Sequence, residues 1–353
     1  MNTDEYVEDL LEERVMRKTS DPELIEDMYK KKYSNWFINY FRKYGIDDVP
    51  LLICCNTLYK LPATIKIQEI TFFVGDISLF EYFYDLNYIL SDRSKKEYLV
   101  NICIKLYIEA CYLQDHIDKA FYLDLTSPTL EEYKKGTDYN NENIHTLWTK
   151  RTDIQEQFVF LHEANHYFLE QLDQKSRLQE YKNFYNYFQE KTQKKLDIFK
   201  ENYKTDNLLV ECFCDCEALK YMVNSFDQSN VAGFSEFISL MYKVPIYLYI
   251  LQFINDSVQE NYNIENGYSY IFYALSYRMG MLYYVFSKYL PESCWKINEK
   301  IFDDNVRILK VIMKKVRQII LYVKEIVDKN LSDIAWISSE GQNNYLKDFL
   351  NLL

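Results

Sequence analysis

Seven glycines and six prolines in 353 residues leave this chain few places to turn. At roughly 2% each, against usual shares of about 7% and 5%, these residues punctuate so rarely that most segments run on uninterrupted. A mostly helical protein is therefore expected. With 48% hydrophobic and 27% charged residues the composition is globular, and the length suffices for a sizeable core, which excludes disorder and collagen-like repeats. The 41 basic side chains are outnumbered by 53 acidic ones, a net charge of −12. Such a balance argues against nucleic-acid binding, which needs a basic surface to neutralise phosphates.

The hydrophobic pattern orders the chain. From Asp4 to Tyr44 it is helical and acidic, with Pro22 at a helix start after Ser20 and Asp21. Strand-like runs follow at Leu51–Cys55 and Thr64–Val74, where a slip of phase at Gln68 and Glu69 predicts a bulge or bend. Helices are expected from Ser78 to Leu90 and from Lys95 to Leu113, then a short strand at Ala120–Leu125. The polar stretch Gly136–Thr149 reads as a surface loop, and almost everything after it as helix. This pattern divides the chain into a helical region 1–50, a core 51–225 and a helical region 226–353.

Met1–Glu13 carries acids where an export signal needs a basic start, so the eight cysteines are expected to be reduced thiols in a cytoplasmic protein. No membrane span is expected. Val244–Ile254 is too short, and Tyr268–Leu290, although long enough, has Arg278 near its middle and reads as a buried helix.

One motif carries chemistry. Within Phe158–Leu169 stands His162-Glu163-Ala164-Asn165-His166, preceded by Thr152 and Gln155 at the spacing of a capping box. On a helix a spacing of four puts both imidazoles on one face, close enough to share a tetrahedral metal, with the glutamate beside them able to reach a water there. A catalytic zinc site needs a third protein ligand. The remaining histidines, His116 and His145, read as surface or capping residues. Downstream, Leu208, Cys212, Cys216, Leu219 and Val223 form a helical apolar stripe, beside which Glu211 and Asp215 fall one turn apart. Two acids on a largely buried face are costly unless paired or metal-bound. Glu211 is thus the candidate ligand, and Asp215 the candidate partner that orients a histidine. Cys212, Cys214 and Cys216 offer a soft-metal alternative if the segment is a strand, whereas on a helix they read as small core residues.

His162-Glu163-x-x-His166 followed by Glu211-x-x-x-Asp215 resembles the gluzincin clan of zinc metallopeptidases, and is most similar to small intracellular bacterial members such as Lit-like and ImmA/IrrE-like peptidases. The resemblance covers about residues 152 to 223. It implies an α+β, predominantly helical protein with a zincin-like core, and zinc (Zn2+) held by His162, His166 and Glu211. It also implies Glu163 as the general base and Asp215 as support to a ligand histidine. The expected activity is zinc-dependent hydrolysis of peptide bonds in a protein or peptide substrate. The alternative is a regulatory or binding module that keeps the scaffold without cleaving. Ala120–Leu125 is the expected substrate-binding edge; Tyr268 and Tyr270, beside a turn at Gly267, are candidate oxyanion donors, and Arg278 is read as a buried ion-pair partner. Oligomeric state and substrate identity are not encoded in any motif.

Overall fold

A computed structural model of the protein describes residues 22–67, 70–90, 96–126, 142–171, 205–225 and 231–330, with a few isolated positions between 179 and 186. It is predominantly helical, with one three-stranded sheet among the described residues. The chain forms two compact units, each assembled from separate stretches: 1–80, 153–246 and 272–306 in the first, and 81–152, 247–271 and 307–353 in the second. This division cuts across the sequential partition at 50 and 225. The chain passes between the units within helices: Ile77–Ile89, Glu142–Gln171, Val231–Ser257, Ile264–Tyr289 and Trp295–Asn330 each span a boundary.

In the first unit, helix α1 (Pro22–Lys32) starts at the proline, passes through a π-helical turn (Tyr33–Ile38) and continues as α2 (Asn39–Lys43). Pro22 serves as a helix start because it needs no intrahelical N–H partner there; Ser20 and Asp21 lie outside the described residues. Tyr33, Phe37, Tyr40 and Phe41 all turn inward. Strands β1 (Leu51–Cys55), β2 (Ala63–Ile67) and β3 (Ile70–Asp76) form a sheet of order β1-β3-β2. Leu51 pairs parallel with Phe72, and Thr64 antiparallel with Phe73. Gln68 and Glu69, where a bulge or bend was expected, lie outside the described residues; Ile67 and Ile70 on either side pair with each other. The run from Phe72 to Asp76 is buried on both faces. At Gly75 the backbone meets Tyr29 so closely that a Cβ would stand 2.9 Å from its ring, and the Tyr29 hydroxyl donates to the Asp76 carbonyl at 3.2 Å.

Phe73 joins the sheet to its neighbours through Phe37, at 4.4 Å between ring centroids, and Phe160, at 4.7 Å. Phe160 belongs to α6 (Glu142–Gln171), the helix that carries the histidine motif. Phe41 and Tyr40 clamp Phe168 of the same helix at 4.7 and 5.3 Å. Two-ring contacts of this kind contribute about 0.5–1.5 kcal/mol each beyond the area they bury, and they anchor the motif helix on either side of its histidines, at Phe160 and Phe168. Lys32 adds an ionic tie to α6, at 2.5 Å from Glu156 and 2.9 Å from Asp153, with its ammonium 4.1 Å from the Phe80 ring centroid.

The second unit includes most of α3 (Ile77–Ile89), all of α4 (Lys96–Leu113) and α5 (Ile117–Thr126), the first turns of α6, and parts of α8 (Val231–Ser257), α9 (Ile264–Tyr289) and α10 (Trp295–Asn330). Asn87 links three of its members, accepting from the Tyr247 hydroxyl at 3.0 Å and donating to Thr152 at 3.4 Å.

Three expectations need correction. Ala120–Leu125 is helix α5, not a strand: Ala120 and Leu123, three apart, are buried while Phe121 is 55% exposed. That is the helical period winning over an apolar run too short to show it. The second half of the polar stretch expected as a loop is the first turns of α6, so Thr152 lies inside a helix and caps nothing. Gly267 sits in the first turn of α9 rather than in a turn between elements. Apart from these, α8 contains a stretch, Ala232–Ser257, long and apolar enough by length and composition to cross a membrane, and 78% of its most apolar window is buried inside the protein.

Candidate metal centre

Helix α6 presents His162 and His166 one turn apart, with ring centroids 4.8 Å from each other. Helix α7 (Thr205–Ser225) brings Glu211 and Asp215 to the same place. It can enter the interior because Cys212 to Leu219 are buried without a break. His162 Nε2 stands 3.0 Å from His166 Nε2 and 3.2 Å from a Glu211 oxygen; the other Glu211 oxygen is 3.5 Å from His166 Nε2. A tetrahedral zinc with bonds of roughly 2.0–2.2 Å keeps its ligand atoms about 3.3 Å apart, so this separation suits one such ion. Among the described residues, His162, His166 and Glu211 form the group able to hold a metal, and all their ligand atoms lie within 4.8 Å of one another.

Asp215 fixes the first histidine. Fully buried, it lies 2.8 Å from His162 Nδ1, so that nitrogen donates to the carboxylate and Nε2 is left facing Glu211. Arg278, reaching in from α9, grips Asp215 with Nε at 2.6 Å and Nη2 at 2.7 Å, and its Nη1 is 3.5 Å from Glu211. A two-pronged guanidinium contact of this kind allows an aspartate with no solvent exposure to stay ionised. Burial alone would raise the Asp215 carboxyl, but Arg278 and the hydrogen bond from His162 hold it below its ordinary value.

The metal-free protein distributes charge accordingly. Burial acts to lower His162, yet its hydrogen bonds to Asp215 and Glu211 outweigh this and raise it to about 10. His166 is pushed down to about 4 by burial and by the neighbouring His162 charge. Glu211 resists the upward push of burial through its hydrogen bond with His162 and the surrounding positive charges, and falls well below the usual carboxylate range. Glu163, partly buried beside the group, is raised to about 7, chiefly by burial and against the pull of His162.

The residues expected from sequence therefore meet in space: His162, His166 and Glu211 as one cluster, Asp215 behind His162, and Glu163 adjacent. Arg278 has the buried ion-pair role expected for it. The thiols of Cys212, Cys214 and Cys216 lie on a helix, fully buried and raised by burial, and take no part in the group. Tyr268 is engaged by ring contacts with Phe253 and Arg317 in the second unit. Asn165, a polar residue inside the motif, is buried and satisfied, accepting from Tyr40 at 3.1 Å and donating to the Leu161 carbonyl at 2.7 Å. Sequence reasoning missed Thr64, whose hydroxyl donates to the Glu163 main-chain carbonyl at 3.3 Å. Ninety-nine positions separate the two residues, and no local pattern announces such a contact.

Comparison with protein-family models, with curated proteins and with solved structures finds no match to this chain.

Proposed function

We propose that the protein is a zinc-dependent endopeptidase of the gluzincin type, acting on an intracellular protein substrate. One observation carries the reading: two imidazole Nε2 atoms and a carboxylate converge at spacings that suit a tetrahedral ion, with a glutamate beside them. Zinc bound there would lower the pKa of a coordinated water to about 7 and polarise the scissile carbonyl. His162 and His166 would hold the ion from one helix and Glu211 from another. Asp215 and Arg278 keep His162 turned the right way. Glu163 takes a proton from the attacking water and delivers it to the departing amine, a task that suits a carboxyl raised by burial toward neutrality. The sheet edge that would receive an extended substrate is β2, whose Thr64 touches Glu163, and not Ala120–Leu125, which is helical.

The test compares cell lysate incubated with wild type and with Glu163→Gln, reading new protein termini by mass spectrometry. One or a few termini should appear only with wild type, vanish with a zinc chelator and return with added zinc. A zinc-loaded wild type that yields no Glu163-dependent terminus in lysates of its host and its targets would replace this reading with that of a non-cleaving regulatory module.

A further inference from the structure

Asn165 is the polar member of an apolar stripe. Phe158, Leu161 and Phe168 share its face of α6 and are buried, and Asn165 itself is only 2% exposed. Asparagine is a poor helix former and costly to bury, so α6 gains nothing locally from one placed between two histidines. Its Nδ2 donates to the Leu161 carbonyl one turn back at 2.7 Å, a bond made within the helix itself. The other bond is long-range: Oδ1 accepts from the Tyr40 hydroxyl at 3.1 Å, across 125 positions. Tyr40 is fully buried and touches three elements. It belongs to α2, its ring stacks on Phe168 of α6 at 5.3 Å between centroids, and it meets Tyr221 of α7 edge-on at 4.7 Å. Helix α7 is the one that carries Glu211. A phenol is rigid, so Tyr40 is a spacer of fixed length with its hydroxyl on α6 and its ring against α7.

We propose that Tyr40 and Asn165 are positioning residues for the metal centre: their hydrogen bond sets the alignment of α6 with α7, and so brings Glu211 within reach of both imidazoles. The proposal rests on the metal-binding part of the reading above and is independent of peptide cleavage. Apolar packing is non-directional and tolerates small slips between helices, whereas a hydrogen bond weakens steeply as its angle departs from linear. A metal site tolerates little slip, because its ligand atoms must stay within about 0.5 Å of their working geometry. The side chains that α6 and α7 must bring together at the rim are the less buried ones, His166 at 28% and Glu211 at 35% exposed. Their separation therefore depends on how the two helices are aligned, and the Tyr40–Asn165 bond is the directional contact that aligns them.

The test titrates zinc against a chromophoric chelator in the full chain, as wild type, Tyr40→Phe and Tyr40→Phe combined with Asn165→Leu. Tyr40→Phe keeps the ring and removes one oxygen. Its zinc affinity should fall on the order of tenfold, and the visible bands of its cobalt-loaded form, which report ligand geometry, should shift from those of wild type. The double variant separates positioning from mere stability. With both polar partners gone no buried acceptor is stranded, so its resistance to urea should return close to that of wild type. Its zinc affinity and cobalt spectrum should stay those of Tyr40→Phe, because the directional contact is still missing. Tyr40→Phe binding zinc within about twofold of wild type, or a double variant that regains affinity together with stability, overturns the proposal. Should Tyr40→Phe fail to fold, the double variant decides alone: weakened zinc binding supports positioning and wild-type binding refutes it. A wild type that takes up neither zinc nor cobalt defeats the metal centre itself and this proposal with it, whereas a zinc-binding wild type with an indifferent Tyr40→Phe defeats only the positioning role.

Discussion

The site is a set of side chains whose protonation states depend on one another. Imidazole binds a metal only when its coordinating nitrogen is deprotonated, and His162 is held protonated up to about pH 10 in the metal-free protein. Zinc binding between pH 7 and 9 should therefore release about one proton, and its affinity should rise roughly tenfold per pH unit across that window. Calorimetry in buffers of different ionisation enthalpy measures the release directly. Wild type should hold about one zinc per chain, as this ligand set requires. His162→Ala, His166→Ala and Glu211→Ala should lose most of it and Cys212→Ser should keep it, read by elemental mass spectrometry. Zinc retained in Glu211→Ala but lost in Cys212→Ser would move the third ligand to the thiols. Asp215 works in the opposite direction on stability: because its folded value is depressed, its contribution is present above its ordinary value of 3.8 and disappears as pH falls through the lower, folded one. Asp215→Asn should thus show a shallower loss of stability on acidification than wild type, measured by urea titrations from pH 6 to 3.

At the scale of elements, the tie between α1 and α6 separates ionic from apolar contributions. Lys32 and Glu156 are largely buried, with side chains 11% and 3% exposed, and burial raises the Glu156 carboxyl even though Lys32 pulls it down. Removing one partner strands the other. Lys32→Met should cost about 3–5 kcal/mol of unfolding free energy, whereas Lys32→Met combined with Glu156→Leu should recover most of that loss. Denaturant titration of the two variants measures the difference, and a double variant as unstable as the single one would refute this account. The same elements explain the error at Ala120–Leu125. Six residues are too few for periodicity to distinguish a strand from two turns of helix, and burial of Ala120 and Leu123 on one side settles the matter only after folding.

At the scale of the molecule, the interleaving of the two units forbids a contiguous catalytic fragment. Residues 51–225 contain every expected ligand, but not Arg278, which neutralises Asp215, nor Tyr40 and Phe41, which clamp the motif helix. A fragment of residues 51–225 should therefore fail to fold and to bind zinc at the stoichiometry of the full chain. Near-ultraviolet circular dichroism and metal analysis of the purified fragment check this. A native-like, zinc-loaded fragment would show that the remaining stretches of the first unit are dispensable.

The sequence by itself determined the helical character, through its scarcity of glycine and proline, and most of the candidate site, through His162, Glu163 and His166 at helical spacing and two acids on a buried stripe. These are local properties: a period of 3.6 residues fixes which side chains share a face before any helix finds a partner. Only the tertiary structure decided that Asp215 turns to His162, that Arg278 comes from a helix more than 60 residues later to hold it, and that Thr64 of a strand edge reaches Glu163. Such contacts depend on how elements distant in the chain pack together, and hydrophobic patterning specifies which face is buried without specifying what it will meet.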